Sequence, residues 1–138
     1  MTPLSLKEEV IGMAKEIYAT LGAGYEEAIY HRAFEVELRL KGINYESEKP
    51  VEVRYKGHSI GVLSADLFVW RGDEKVLIEL KAGSGPFMPK YQKVPNSIKE
   101  VAQVSNYYRL LELPEDTGVL LINFPFPAIQ EAEIIEVR

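Results

Sequence analysis

Apolar positions recur with two different periods along this chain, and the change from one to the other marks its elements. From Leu6 they fall at Val10, Met13/Ala14, Ile17/Tyr18 and Leu21, the spacing of one helical face. Ser5 with Glu8 three residues later is a capping-box start, and Gly22-Ala23-Gly24 ends the run. A second helix is expected from about Tyr25 to Lys41, closed by Gly42, with Ile29, Ala33, Val36 and Leu40 as its buried stripe. On another flank Glu27, Tyr30, His31 and Phe34 lie at i, i+3, i+4 and i+7, so a carboxylate, a phenol and an imidazole share one face.

From Asn44 the period becomes two. Val51, Val53 and Tyr55 alternate with Glu52 and Arg54, and Lys56-Gly57 reads as a tight turn into a strand from His58 to Leu63. Asp66-Leu67-Phe68-Val69-Trp70 and the stretch from Lys75 to Lys81 read as two more strands, joined by the turn Arg71-Gly72-Asp73-Glu74. Val76-Leu77-Ile78 is apolar on both faces, which places it centrally in a sheet. Residues 82–96 hold two glycines and three prolines and are expected to form a long loop. A third helix is expected from Ile98 to Glu112, with Val101, Val104/Ser105, Tyr108 and Leu111 on one side and Pro114 closing it. A buried strand at Val119 to Asn123 and an edge strand at Ala132 to Val137 complete the series. The order α-α-β-β-β-β-α-β-β predicts an α/β (α+β) fold, one mixed sheet flanked by helices, in a single domain over residues 1–138.

Composition narrows the function classes. Apolar residues make up 46% and charged residues 27% of 138 residues, enough for one core without staples. There are no cysteines, so disulfides and thiolate zinc sites are excluded. The N-terminus turns acidic before an apolar run develops, and no stretch nears the ~20 apolar residues of a membrane span, so an intracellular protein with no membrane partner is expected. The net charge of −5 counts against a nucleic-acid partner, but the charge is uneven: Lys81, Lys90, Lys93 and Lys99 fall in a stretch without one acid. P-loop, nucleophile-elbow and G-x-G-x-x-G patterns are absent from the sequence.

Three charged residues sit oddly in the apolar strands. Asp66 opens one strand, and Glu79 and Lys81 end the next, two apart and so on one face. A hairpin between them brings Asp66 towards Glu79. Two carboxylates so placed suit a hard divalent cation such as Mg²⁺, and an adjacent lysine can steady charge on a phosphate. Charged residues also cap buried strands with no chemical role, and E-x-K alone does not separate the two readings.

Further motifs do. Gly24-Tyr25-Glu26-Glu27-Ala28-Ile29-Tyr30, Ala65-Asp66-Leu67-Phe68-Val69, Ile78-Glu79-Leu80-Lys81-Ala82, Gln103-Val104-Ser105-Asn106-Tyr107 and Leu120-Leu121-Ile122-Asn123-Phe124 together resemble the GxxExxY proteins of the PD-(D/E)xK nuclease superfamily. The resemblance implies a restriction-endonuclease-like fold and a DNA nuclease, RNA being the lesser expectation, dependent on Mg²⁺ or Mn²⁺. It implies Asp66, Glu79, Lys81 and Glu27 as the catalytic centre, with Asp66, Glu79 and Glu27 holding metal. Gln103 and Tyr107 match positions that support the site or touch nucleic acid in RecB-like relatives, and Tyr30 belongs to the naming motif. The connector from Gly83 to Ser97 is longer than the family pattern leads one to expect. Its Lys90 and Lys93, with Phe87 and Tyr91, suit a flap that contacts DNA, or else a loop buried in a homodimer. The alternative to a nuclease is a non-catalytic nucleic-acid-binding or homodimeric interaction module on the same fold.

Overall fold

The computed structural model describes residues 3–83, 99–126 and 131–138. Helix α1 (Leu6–Leu21) starts on the expected capping box: Ser5 Oγ accepts the Glu8 backbone N–H at 3.1 Å, and the Glu8 carboxylate accepts the Ser5 N–H at 3.1 Å. Its buried face is Leu6, Val10, Met13, Ala14, Ile17 and Tyr18, with Leu21 left at the surface.

Helix α2 (Glu27–Leu40) buries a different face from the one its spacing suggests. Tyr30, Phe34 and Leu38 are fully buried, whereas Ile29, Val36 and Leu40 are exposed and Ala33 is half-buried. The helix has two apolar faces, and the aromatic one wins the core. Tyr30 stacks on Phe124 with ring centroids 4.2 Å apart, and Phe34 meets the same ring edge-on. The aromatic face gains ring–ring contacts with Phe124 that the aliphatic stripe cannot make.

Strand β1 (Asn44–Tyr55) turns into β2 (His58–Arg71) through Lys56 and Gly57, whose φ angles of 49° and 82° are those of a type I′ hairpin. β2 is one strand of 14 residues, where the sequence suggested two. Ser64 and Ala65 carry no turn signal, and both remain paired to β1. The order of elements is therefore α-α-β-β-β-α-β-β, with β3 (Glu74–Gly83), α3 (Lys99–Leu110), β4 (Gly118–Pro125) and β5 (Glu133–Glu136).

The five strands form one mixed sheet in the order β1-β2-β3-β4-β5. All neighbours are antiparallel except β3 and β4, whose parallel pairing needs the crossover that contains α3. Helices α1 and α2 cover one face over Leu67, Val69, Val76, Ile78, Leu80 and Ile122. On the other face α3 packs Val104 and Tyr107 over Phe68, Leu77 and Val119. The α3 stripe thus runs through Val101, Val104 and Tyr107, one residue round the helix from the expected Tyr108.

β1 and β2 change faces partway along. Tyr45 packs on the α1/α2 side while Val51, an even number of residues on, packs on the α3 side; Leu67 and Ala65 show the same reversal. The break lies at Glu48, whose φ of 53° departs from extended backbone, directly across from Asp66 between the pairs Ser47–Leu67 and Lys49–Ala65.

Candidate active site

The β2–β3 ladder runs from the turn pair Arg71–Glu74 to Leu67–Ile78 and goes no further. At the next position side chains replace the backbone bonds. Asp66 N–H donates to Glu79 Oε1 at 3.3 Å, and Leu80 N–H donates to Asp66 Oδ2 at 2.7 Å. Each carboxylate thus satisfies a backbone donor that the ended ladder would leave orphaned. The price is two acids held side by side, with Glu79 only 3% exposed.

Lys81 Nζ lies 3.9 Å from Glu79 Oε2 and is half-buried. It does not neutralise the pair. Burial, then the neighbouring Asp66 charge, push the Glu79 carboxyl up to about 8, against the lowering effect of Lys81. Glu27 is raised too, by burial and then by Asp66, with Lys81 and His31 pulling the other way. Tyr107 is raised by burial and next by Glu79. These couplings bring Glu27, Asp66, Glu79, Lys81 and Tyr107 into one electrostatic neighbourhood.

Asp66, Glu79 and Lys81 come together where the two strands part. Gln103 Nε2 donates to the Tyr107 hydroxyl at 2.7 Å, so this pair braces α3 beside Glu79. Tyr30 is not in the site: it is fully buried, and its hydroxyl donates to Gly22 O at 2.7 Å, locking the α1–α2 turn that sets Glu27 at the start of α2. In that turn Gly24 has a φ of 100°, a conformation that favours glycine. Lys90 and Lys93, with the rest of the 83–97 connector beyond Gly83, lie outside the described residues.

Sequence reasoning missed the far wall of the site. A cleft of about 350 Å³ runs from Asp66 and Glu27 past His31 and Arg32 to Glu35 and Glu48. In it Ser47 Oγ donates to Glu35 Oε2 at 2.6 Å, and His31 Nε2 lies 3.2 Å from the same hydroxyl. Glu27, His31 and Glu35 are spaced i, i+4, i+8, a signal legible in the sequence had the row been extended. Glu48 has no such signal, because its place depends on the break in β1. A larger hollow of about 480 Å³ beside the start of α1 shares no residue with Asp66, Glu79 or Lys81, so volume does not locate the chemistry.

Among the described residues no three or more His, Asp or Glu gather at metal-ligand spacing. Asp66 and Glu79 are the carboxylates brought together, while Glu27 is not gathered with them into a ligand cluster. A buried pair of like charges still fits a divalent cation of the Mg²⁺ kind, which takes few protein oxygens and keeps several waters. Asn123, aligned with Lys81 across β3–β4, is fully buried; its amide donates to Glu133 Oε1 at 2.7 Å and Gly83 O at 3.4 Å, tying the strand ends behind the site.

A family model described as the PD-(D/E)XK nuclease superfamily matches residues 5–137. A search of curated proteins finds no match. Among solved structures the chain is similar to the crystal structure of SSO0001, with 18% identity and a TM-score of 0.52 over 80% of this chain and 50% of that one. It thus spans about half the length of that protein. Archaeoglobus fulgidus Hjc, a Holliday junction resolvase from an archaeal hyperthermophile, has 17% identity and a TM-score of 0.43 over 80% of this chain and 76% of that one. No helix among the described residues is long and apolar enough to cross a membrane.

Proposed function

The chain belongs to the PD-(D/E)XK nuclease superfamily, and from that premise we propose that it is a metal-dependent nuclease that hydrolyses phosphodiester bonds of DNA at Asp66, Glu79 and Lys81. The finer assignment is to the GxxExxY group, supported by Gly24 at positive φ in the turn, Glu27 at the start of α2 and Tyr30 bracing the turn. The observation that carries the nuclease reading is the buried Asp66–Glu79 pair at the end of the β2–β3 ladder.

Asp66 and Glu79 would hold Mg²⁺ or Mn²⁺, with Glu27 facing the same centre from α2. When bound, the cation supplies Lewis acidity, offsetting charge that builds on a phosphate and lowering the pKa of water. The chain's own residues do the rest. Leu80 N–H fixes the Asp66 carboxylate, and Asp66 N–H fixes Glu79, so neither acid must reorganise when charge arrives. Lys81 Nζ, a cation on the same strand face as Glu79, is suited to orient a water and to steady the charge of the pentavalent phosphate. Tyr107, held by Gln103, closes the α3 side against solvent. Arg32, in the cleft wall, offers a phosphate contact on the α2 side.

Incubation of plasmid and linear duplex DNA with the protein in Mg²⁺, Mn²⁺ or chelator tests this. The expected result is cleavage only with metal and none by Asp66→Ala at unchanged circular dichroism. Cleavage that persists in chelator, or in Asp66→Ala, contradicts it.

A further inference from the structure

Helix α2 carries a second apolar row of which the monomer uses only Ala33, which packs against the core. Ile29, Ala33, Val36 and Leu40 follow one another at intervals of four, three and four residues, the seam spacing of a helix that packs on another helix. Leu40 is 78% exposed, Val36 45% and Ile29 38%. A stripe this regular is the signature of burial, yet the core is built mainly on another face, by Tyr30, Phe34 and Leu38.

The charges beside the row are ordered as well. With Ile29 and Val36 at one seam position and Ala33 and Leu40 at the other, Arg32 and Arg39 fall on one flank and Glu37, which also pairs with Lys41 of its own helix at 2.6 Å, on the other. In a two-fold pair of parallel helices, each flank faces the opposite flank of the partner. Arg32 of one copy then meets Glu37 of the second, five residues further along, and the same pair recurs across the axis. In an antiparallel pair each flank faces itself, which sets Arg32 and Arg39 against their own copies. Charge complementarity therefore selects the parallel arrangement, and the occupant it selects is this same helix.

We propose that the exposed stripe of α2 is a self-association surface, on which a second copy of this chain packs its own α2 in parallel. None of its seam residues belongs to the proposed centre, and the flanking Arg32 is the one residue it shares with the nuclease reading. The row is short, so the interface is at the small, weak end of those that proteins use. Arg32 also lines the cleft beside Asp66, so the pairing sets two clefts side by side about one two-fold axis.

Two measurements test it, and the absence of native cysteine makes the second clean. Sedimentation of the full chain at chain concentrations up to about 200 µM, in the range where small interfaces populate, should show a dimer of the 15.6 kDa chain. Leu40→Glu, at an exposed position that leaves folding intact, should give a monomer, as should Glu37→Arg; pairing Glu37→Arg with Arg32→Glu should restore the dimer. Single cysteines at Ile29, Val36 or Leu40 should each form an intermolecular disulfide on mild oxidation. A parallel seam puts each residue opposite its own copy, while an antiparallel one puts Ile29 opposite Leu40. A monomer throughout the concentration range overturns the proposal. So does a dimer that survives Leu40→Glu, or a failure of the Ile29 and Leu40 cysteines to cross-link.

Discussion

Strands β2 and β3 are neighbours at both of their shared ends, yet the two ends are built on opposite principles. At the turn end, Leu67 to Arg71 and Glu74 to Ile78 exchange backbone hydrogen bonds, and Leu67, Val69, Val76 and Ile78 bury an apolar face under α1 and α2. At the open end, Asp66 and Glu79 take over the backbone donors, and a nearly buried acid is raised to about 8. The closed end gains stability from packing. The open end gives some up by holding two acids side by side in a buried position, which the half-buried Lys81 at 3.9 Å only partly offsets. Two adjoining segments of one hairpin thus divide into a foundation and a site.

The largest way to sharpen that contrast is at Lys81. Lys81→Met should lower metal-dependent cleavage by about 10²–10³-fold while leaving the melting temperature within the scatter of surface variants. Steady-state rates and thermal melts of the same samples check both halves. Leu77→Ala, at the closed end and fully buried against α3, should behave in reverse. It should cost about 2–5 kcal/mol in urea unfolding, with cleavage per folded molecule unchanged.

A smaller effect separates the two ends by pH. The Glu79 carboxyl is pushed up to about 8 in the folded protein, above its ordinary value of 4.5, so the native state holds its proton more tightly than the unfolded chain. Its contribution to stability is therefore full below about 4.5 and lost as pH rises through about 8. The metal-free protein should melt several degrees lower at pH 8.5 than at pH 5.5, and Glu79→Gln should narrow the gap. A gap unchanged by Glu79→Gln would remove the open-end strain. Least of all, Tyr107→Phe should reduce cleavage about two- to fivefold, the worth of one hydrogen bond to Gln103, with no change in metal affinity by calorimetry.

Much of this division is legible in the sequence, because strand period and charge both survive in it. Asp66, Glu79 and Lys81 stand out since apolar strands carry charge only at a cost, and two-residue spacing puts Glu79 and Lys81 on one face. The hairpin at Lys56-Gly57 and the crossover to β4 follow from turn chemistry and from a buried strand after a helix. The buried face of α2 does not. Its two apolar rows are alike in spacing, and only the Tyr30–Phe124 stack, a contact between distant residues, decides which turns inward. The single long β2 is hidden for a related reason: no local signal at Ser64-Ala65 joins the two stretches, while pairing to Pro50 and Lys49 carries the strand through. Glu48 is the hardest case, since a glutamate with positive φ is set by its surroundings and leaves no local trace.

The proposed chemistry stands on a divalent cation held jointly by Asp66 and Glu79. Calorimetric titration of Mn²⁺ and then Mg²⁺ into the folded protein, beside Asp66→Ala, tests it most directly. Saturable binding in the wild type that disappears in the variant is the predicted result. Binding of equal strength in both proteins, or none in either, would contradict it.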